Sequence, residues 1–401
     1  MTHVREPRDM AETGASKQKS GAGSDKSLYA VRGQLLLDGT LYYGALIVRD
    51  GIILEILRGP GGELPATVYD ADIVSPGLID LQVNGSFGVE VGDDPEALRH
   101  LAAQLPATGV TAYLPTVVSS TRDFYERTRD AYEAGRTAPG AQALGIHIEG
   151  PFLSPARAGA HRRDVIEDAP IDAMDPLLES GHVRVVTLAP ERPGALELIQ
   201  RLRRLEVVVS LGHTDATYGE FVRGVDYGAT MVTHLYSAMS PLRHRAPGAV
   251  GAALQDDRVV VGLIADGVHC HPAVIDIALR VKGPDRVALV TDAIAGAGVE
   301  PGTYELNGQK IIVDENLAQL PDGTLAGSIL TLDQAVRNVV RLAGASVPHA
   351  LHMASEVPAQ VLGLRTKGRL IVGADADLIL LTQDLKVQST FIAGKRVYER
   401  T

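Results

Sequence analysis

Apolar and polar residues alternate in short runs at both ends of the chain, and turn signals separate these runs. In the N-terminal part, LLLDGTLYY and LIVRDGIILEI place Asp-Gly between apolar runs, which strongly predicts β-hairpins. The C-terminal stretch GRLIVGADADLILLTQDLKVQSTFIAGKRVYER alternates in the same way and contains the turn signal Gly394-Lys395. Two β-rich ends around a different middle predict one small β-sandwich domain, built from residues 29–74 and 366–401.

In the middle of the chain, apolar runs alternate with stretches of helical periodicity. Most runs precede a helical stretch such as DPEALRHLAAQL, TRDFYERTRDAYEAG or GALELIQRLRRL. This order is typical of a parallel (β/α)₈ barrel, which we expect over residues 75–365. A doubly wound open sheet is the main alternative, but it needs a G-x-G-x-x-G loop that GSFGVEVG does not supply. The predicted strands lie in SPGLIDLQVN, VTAYLPT, ALGIHIEG, VRVVTLAPE, VVVSLGHT, ATMVTHLY, VVVGLIADG and RVALVTDA.

Composition narrows the class of protein. The 401 residues include 38 basic and 49 acidic ones, for a net charge of −11 without a basic run, which argues against a nucleic-acid partner. The single cysteine excludes an intramolecular disulfide and fits a reducing cytoplasm. No apolar stretch reaches the length of a membrane span. Residues 1–28 are polar and lack the apolar segment of a signal peptide, so we expect a disordered leader there.

Polar side chains mark the ends of the predicted strands. In a (β/α)₈ barrel these ends share one face, where the catalytic residues of such enzymes lie. Glu149, His213 and His234, from three separate strand ends, make a good ligand set for Zn²⁺ or a similar divalent ion. A second carboxylate, Asp292, would then act as a general base on the attacking water. The polar residues at strand ends are Gln82, Asn84, Glu149, His213, His234, Asp266, His269 and Asp292.

Structural interpretations compete with these roles. A single histidine at a strand end is more often a hydrogen-bonded core group than a ligand, and only the coincidence of three candidate ligands favours the metal. Asp292 could instead cap a following helix in TDAIAGAG. His147 is expected to be structural and Cys270 a passive buried thiol, while Gln82 and Asn84 could form a polar layer in the barrel. No specific role is expected for His100, His182, His349 and His352, and the role of His244 is left open.

Eight motifs occur in a characteristic order along the chain. They are PGLIDLQVNG, HIEGPFLSPARAGAH, LGHTDAT, THLYSAMSPLRHRAPG, IADGVHCHP, TDAIAGAG, LAGSILTLDQAVRN and GRLIVGADADLILL. In combination they resemble the N-acetylglucosamine-6-phosphate deacetylase family of the amidohydrolase superfamily, over roughly residues 30–400. The resemblance implies a metal-dependent hydrolase that releases acetate from an N-acetylated amino-sugar 6-phosphate.

The resemblance also implies roles for individual residues. It implies one catalytic acid/base, three metal ligands and five substrate-binding residues, four of them near the phosphate. The acid/base is Asp292, the metal ligands are Glu149, His213 and His234, and the substrate is bound by His161 near its carbonyl and by Ser237, Ala238, Arg245 and His269 near its phosphate.

Two positions depart from the family pattern. Most amidohydrolases have His-x-His at the end of the first barrel strand, which helps to hold a second metal, whereas this chain has Gln82-Val83-Asn84. This is similar to the single-metal branch of the family, so we expect one metal per chain. Ser237 stands where the family usually has asparagine, which affects phosphate affinity or sugar choice if that side chain makes the contact.

Three classes of function stay open. The first is the deacetylase, acting in the cytoplasm as a homodimer with one Zn²⁺ or, alternatively, Fe²⁺, Mn²⁺ or Co²⁺. The second is another hydrolase on the same scaffold, acting on a related acetylated sugar phosphate such as the galactosamine isomer, or on a cyclic amide. The absence of lysine from the ends of the middle strands argues against the cyclic amide. The third is a catalytically silent binding protein, and the joint presence of four catalytic-type residues argues against it.

Overall fold

The computed structural model describes residues 28–167 and 171–401. The predicted leader, residues 1–28, lies outside the described residues except for Leu28, which begins the first strand. Across the described part of the chain, no helix is both long enough and apolar enough to cross a membrane.

Eight parallel strands form a barrel within residues 28–167 and 171–401, and each pairs with its neighbours in chain order. The barrel closes between its last and first strands, where Asp292 N donates to Gln82 O at 3.0 Å and Asn84 N donates to Ala293 O at 2.8 Å. Most strand residues are buried, because helices cover the outer face, and this explains their near-continuous apolar runs. Barrel strands 1 to 8 are Leu78–Val83, Val110–Val118, Ile146–Glu149, Val183–Leu188, Val208–Leu211, Met231–Val232, Val260–Leu263 and Val287–Leu289.

The helices begin at local capping signals. Asp94 accepts a hydrogen bond from the backbone N–H of Glu96, and Thr217 forms a reciprocal capping box with Glu220. Each of the three stretches predicted to be helical contains an observed helix. The helices are Pro95–Gln104, Arg122–Gly135, Arg163–Glu167, Asp175–Leu178, Ala195–Arg204, Tyr218–Tyr227, Gly248–Gln255, Pro272–Lys282, Leu332–Ala343, Val347–Ala354 and Glu356–Val361, with 3₁₀ turns at Leu105–Thr108, Pro155–Arg157 and Pro284–Arg286.

The two chain ends form a separate mixed sheet, which has seven strands within the described residues. Tyr29, Tyr69 and Phe391 pack together in its core, with ring centroids 5.1 to 5.6 Å apart. The predicted fold class is thus confirmed, whereas the domain limits stay a prediction, and one strand crosses the limit proposed after residue 74. In spatial order the strands are Lys395–Glu399, Val387–Ile392, Leu378–Leu381, Val68–Pro76, Leu28–Leu37, Thr40–Arg49 and Ile52–Arg58.

A small antiparallel sheet that was not predicted lies over the mouth of the barrel. Its first two strands join at Asn307-Gly308, where φ is +48° and +77°. Both angles suit a tight hairpin turn, and Asn-Gly is a strong sequence signal for one. Its apolar side packs on Val118 and Ala160, beside the polar strand ends. Its strands are Gly302–Leu306, Gln309–Val313 and Ala318–Gln319, and shorter strands elsewhere are Gly85–Ser86, Val89–Glu90 and Gln142–Ala143.

Candidate active site

Glu149, His213 and His234 meet at the C-terminal mouth of the barrel, as the strand ends predicted. Oε1 of Glu149 lies 3.0 Å from Nε2 of His234 and 3.3 Å from Nε2 of His213. The two Nε2 atoms are 3.1 Å apart. All three residues are buried, with Glu149 only 2% exposed.

The chemistry of these atoms fits a bound cation. Nδ1 of His213 lies 2.9 Å from the carbonyl oxygen of Arg157, which can only accept a hydrogen bond, so Nδ1 carries the proton of the neutral ring. Nε2 of His213 then directs a lone pair at the other two atoms. A carboxylate and two imidazoles whose ligand atoms lie this close together are a set of donors that a divalent cation accepts. This cluster is therefore a buried site compatible with a metal ion.

Charge coupling inside the cluster is strong. Burial opposes ionisation of Glu149, but its close contacts with the rings of His161, His213 and His234 outweigh it and hold the pKa of Glu149 well below its usual range. Burial also opposes protonation of His234, and the neighbouring carboxylate outweighs it to raise the pKa of His234 to about 9. The negative charge needed by a metal ligand is thus present on Glu149 at neutral pH.

Sharp turns at the strand ends aim these side chains into the mouth. His213, His234 and Asp292 have φ of +46°, +28° and +52°, a region that costs such residues about 1–3 kcal/mol each. After His213, the carboxylate of Glu191 holds the next turn by accepting from Thr214 Oγ1 at 2.6 Å and from the following backbone N–H at 2.7 Å. The surrounding structure stabilises this strained backbone conformation at the three strand ends where a polar side chain turns into the mouth of the barrel.

Asp292 lies beside the cluster and not at the start of a helix. Its Oδ1 accepts hydrogen bonds from Asn84 Nδ2 at 2.6 Å and from Gln82 Nε2 at 2.9 Å. Residues 293–301 contain no helix, so the alternative role as a helix cap is wrong. Burial, together with the negative charge of Glu149, raises the pKa of Asp292 to about 6. Such a group is ionised but only weakly acidic at neutral pH, which suits proton transfer in both directions.

Gln82 connects the two carboxylates of the site. Its Nε2 donates to Oε1 of Glu149 at 3.1 Å as well as to Asp292. Together with Asn84, which follows the same strand, it places two side-chain amides next to Asp292. These residues form the polar layer considered from the sequence, and they also orient the two carboxylates.

His161 is carried over the cluster by the loop after barrel strand 3. Its Nδ1 lies 3.2 Å from the backbone N of Ser119, which donates to it, and its Nε2 lies 3.7 Å from Oε2 of Glu149. Burial, and then the charge of His213, lowers the pKa of His161. The ring is therefore neutral near pH 7 and presents Nε2 to the space above the cluster.

The predicted phosphate-binding residues divide into two groups. His269, Ser237 and Ala238 line the cavity above the cluster. Asp266 orients His269 by accepting from its Nδ1 at 2.7 Å. Arg245 instead lies on an exposed loop, residues 241–247, and is not among the described residues that line the cavity.

The cavity has a volume of about 450 Å³, which is suitable for a small-molecule ligand. A model of the amidohydrolase family matches residues 73–397. The N-acetylgalactosamine-6-phosphate deacetylase of Escherichia coli O157:H7 is 38% identical over 375 residues, covering 92% of this chain and 98% of the relative. The N-acetylglucosamine-6-phosphate deacetylase of Bos taurus is 39% identical over 386 residues, covering 91% and 94%. The chain belongs to the N-acetylglucosamine-6-phosphate deacetylase family of amidohydrolases.

The solved structures agree with this membership. The crystal structure of N-acetylglucosamine-6-phosphate deacetylase from Pasteurella multocida matches this amidohydrolase with a TM-score of 0.88 at 30% identity, covering 93% of this chain and 100% of that one. The resemblance stated from the motifs is therefore confirmed.

Several cavity residues of this amidohydrolase were missed from the sequence. Gly327, with φ of +61°, passes so close to Asp292 that a Cβ would lie 2.8 Å from its carbonyl oxygen. This glycine belongs to the quoted motif LAGSILTLDQAVRN, which could have indicated it. The Asn-Gly signal could likewise have indicated Asn307. The cavity residues without a predicted role are Val118, Ala156, Arg157, Gly159, Ala160, Leu306, Asn307, Thr324, Leu325 and Gly327.

The remaining histidine and cysteine assignments fit structural roles. Both ring nitrogens of His147 have partners, Leu81 O at 3.0 Å and Thr187 Oγ1 at 2.8 Å. Burial lowers the pKa of His147 to about 4. Cys270 is buried, and burial raises the pKa of its thiol to about 12. His244 lies on the exposed loop 241–247.

Proposed function

We propose that this amidohydrolase removes the acetyl group of N-acetylglucosamine 6-phosphate, producing acetate and glucosamine 6-phosphate. The observation that carries the proposal is the buried cluster of Glu149, His213 and His234 beside Asp292, at the floor of a cavity of about 450 Å³. Relatives that match nearly the whole chain bear the name of this activity.

We assign the metal to Glu149, His213 and His234, with one divalent ion per chain. Zn²⁺ is the proposed ion, and Fe²⁺, Mn²⁺ and Co²⁺ are alternatives that accept the same ligands. When bound, the ion would polarise the amide carbonyl and lower the pKa of the attacking water. The amides of Gln82 and Asn84 support a single ion, because they occupy the first-strand position used for a second one.

Asp292 is the proposed catalytic acid and base. As a carboxylate it takes the proton from the water that attacks the amide carbon, and as a carboxylic acid it gives that proton to the leaving amine when the C–N bond breaks. His161 donates a hydrogen bond from Nε2 to the carbonyl oxygen as negative charge develops there. Hydrogen bonds from Gln82 and Asn84 keep the carboxylate in position between these steps.

We assign phosphate binding to His269, Arg245 and the backbone turn of Ser237 and Ala238. Phosphate binding at a distance from the reacting carbon orients the acetamide over Asp292. Because Arg245 lies outside the cavity, its role requires either movement of its loop toward the cavity or contact with the site of a second copy. A homodimer and a cytoplasmic location are part of this proposal.

The experiment is acetate release from N-acetylglucosamine 6-phosphate, compared with the unphosphorylated sugar and with N-acetylgalactosamine 6-phosphate. Metal content is determined on the same sample. Release that requires the phosphate, with about one metal per chain, supports the proposal. Bound metal without acetate release from any of the three would refute it.

A second candidate substrate is the galactosamine isomer, because the Escherichia coli relative bears that name. Ser237 lines the cavity where the family usually has asparagine, so the sugar pocket differs from the usual pattern. The relative kcat/KM for the two phosphorylated sugars decides between the candidates.

A further inference from the structure

The hairpin over the barrel mouth makes contacts that the proposed mechanism does not use. At its tip, Asn307 donates from Nδ2 to the carbonyl oxygen of Ser119 at 2.8 Å. Two residues later, Gln309 donates from Nε2 to the carbonyl oxygen of Ala160 at 2.7 Å. These bonds tie the hairpin to the end of barrel strand 2 and to the residue just before His161.

Ser119 lies one residue past the last pair between barrel strands 2 and 3, which joins Val118 to Glu149. Its backbone groups are therefore outside the sheet ladder and depend on other partners. The N–H of Ser119 donates to Nδ1 of His161 at 3.2 Å, and its carbonyl accepts from Asn307. One residue thus joins the hairpin to the histidine of the site.

Two atoms of Ser119 face Nδ1 of His161, the backbone N at 3.2 Å and Oγ at 2.9 Å. The backbone N–H can only donate, and the hydroxyl can turn to donate as well, so both contacts favour Nδ1 as the acceptor. The proton of the neutral ring then sits on Nε2, which faces the cavity 3.7 Å from Oε2 of Glu149. Ser119 itself is held closely, because a Cβ on the adjacent Gly150 would lie 2.1 Å from its Oγ.

We infer that Asn307 is a positioning residue for deacetylation, acting through Ser119 on His161. By holding the carbonyl of Ser119, its side chain fixes the position of this residue, whose N–H and Oγ face Nδ1 of His161 and leave the proton on Nε2. This places a donor where the acetamide oxygen gains charge. The inference rests on the proposed function for its effect on turnover, whereas the protonation pattern of the ring can be measured without substrate.

Asparagine suits this position for two reasons. The turn requires φ of +48°, which asparagine and aspartate adopt more readily than most residues. Glu90 anchors the same turn by accepting from the backbone N–H of Asn307 at 2.6 Å, a bond that does not use the side chain. The side-chain amide is therefore left to act as a donor to Ser119.

Two substitutions remove this donor in different ways. Asn307→Asp retains size and turn preference but places a carboxylate against the carbonyl of Ser119. Asn307→Gly retains the left-handed turn and removes the donor without adding charge. Asn316→Asp is the matched control, because Asn316 is exposed in the loop that leads into the third strand of the same small sheet.

The ring of His161 is followed by ¹⁵N NMR in histidine-labelled, metal-loaded protein, with His161→Gln identifying its signals. We expect a proton on Nε2 and none on Nδ1 in the wild type and in Asn316→Asp. Both Asn307 variants should show a mixture of tautomers. With N-acetylglucosamine 6-phosphate, their kcat should fall on the order of tenfold while KM stays near the wild-type value.

Two results would overturn the inference. The first is an unchanged His161 ring in both Asn307 variants, which would mean that any kinetic effect comes from direct contact with substrate. The second is a raised KM with unchanged kcat, which would mean that the hairpin only closes the cavity. If the wild type releases no acetate, the proposed function fails, and the NMR measurement alone still decides whether Asn307 positions the ring.

Discussion

Replacing Asp292 with asparagine tests the centre of the proposed mechanism. Oδ1 of Asp292 accepts from Asn84 at 2.6 Å and from Gln82 at 2.9 Å. Asparagine has nearly the same shape and can keep its carbonyl oxygen toward both donors. The fold and the metal site should therefore persist. The variant cannot take the proton from water or return it to the amine.

The expected loss follows from the two proton transfers assigned to this one group. General acid–base catalysis contributes about 10²–10⁴-fold. Because Asp292 serves both steps, we expect kcat to fall by about 10³–10⁴-fold, which corresponds to about 4–5.5 kcal/mol in the activation barrier.

The pH dependence of kcat/KM is a second, independent test of the role of Asp292. Burial and the charge of Glu149 raise the pKa of Asp292 to about 6. The base works only when ionised, so wild-type kcat/KM is retained above this pKa and lost as the pH falls through it. A cation bound nearby shifts this acidic fall in kcat/KM to lower pH, because it favours the carboxylate. The residual activity of Asp292→Asn should not show this fall.

The assay is acetate release across this pH range, with metal content and thermal midpoint measured on the same samples. Loss of metal from Asp292→Asn would place Asp292 among the ligands and refute the role given to it. Activity within about tenfold of the wild type would mean that another group is the general base.

Three further predictions concern metal, phosphate and stability. Glu149→Gln should lose metal on dialysis, because it removes the only anionic ligand of the assigned set. Atomic spectrometry measures the metal content, and full retention would contradict the ligand set. Arg245→Ala should lower kcat/KM about 10- to 100-fold for the phosphorylated sugar, the worth of a charged hydrogen bond, and equal losses on the unphosphorylated sugar would remove its phosphate role. Lys367→Met removes the ammonium group whose Nζ lies 2.6 Å from Oδ2 of Asp377, a carboxylate with only 4% of its side chain exposed. The free energy of unfolding in urea should fall by about 3–5 kcal/mol. The control Lys386→Met breaks an exposed pair and should cost at most about 1 kcal/mol, so equal losses would contradict the argument.

The barrel and the grouping of its buried Glu/His/His cluster could be predicted from local patterns. A parallel strand covered by helices needs apolar residues on both faces, so each strand appears in the sequence as an apolar run. The first polar residue after each apolar run marks the end of that strand, and all these strand ends lie on one face of the barrel. Glu149, His213 and His234 could therefore be grouped before the structure was known, although they come from three different strands.

The same patterns could not show which polar ends interact. His147 and Glu149 are two residues apart on one strand, so their side chains leave it on the same side. The ring of His147 nevertheless hydrogen-bonds to Leu81 and Thr187 within the barrel wall. Arg245 shares a motif with His234 but lies on an exposed loop outside the cavity. In each case the direction of a side chain depends on neighbours that are distant in sequence.

The sequence by itself determined the alternation of strands and helices in the barrel, the polar residue types at the strand ends and the family, because these depend on local periodicity and on motifs. The tertiary structure decided that the side chain of Gln82 hydrogen-bonds both Glu149 and Asp292. Asp292 lies 210 residues further along the chain than Gln82. It also decided that a hairpin tip reaches Ser119 from a distance of 188 residues. Such contacts depend on barrel closure and on left-handed turns at particular residues, which only the packing of the whole chain can hold in place.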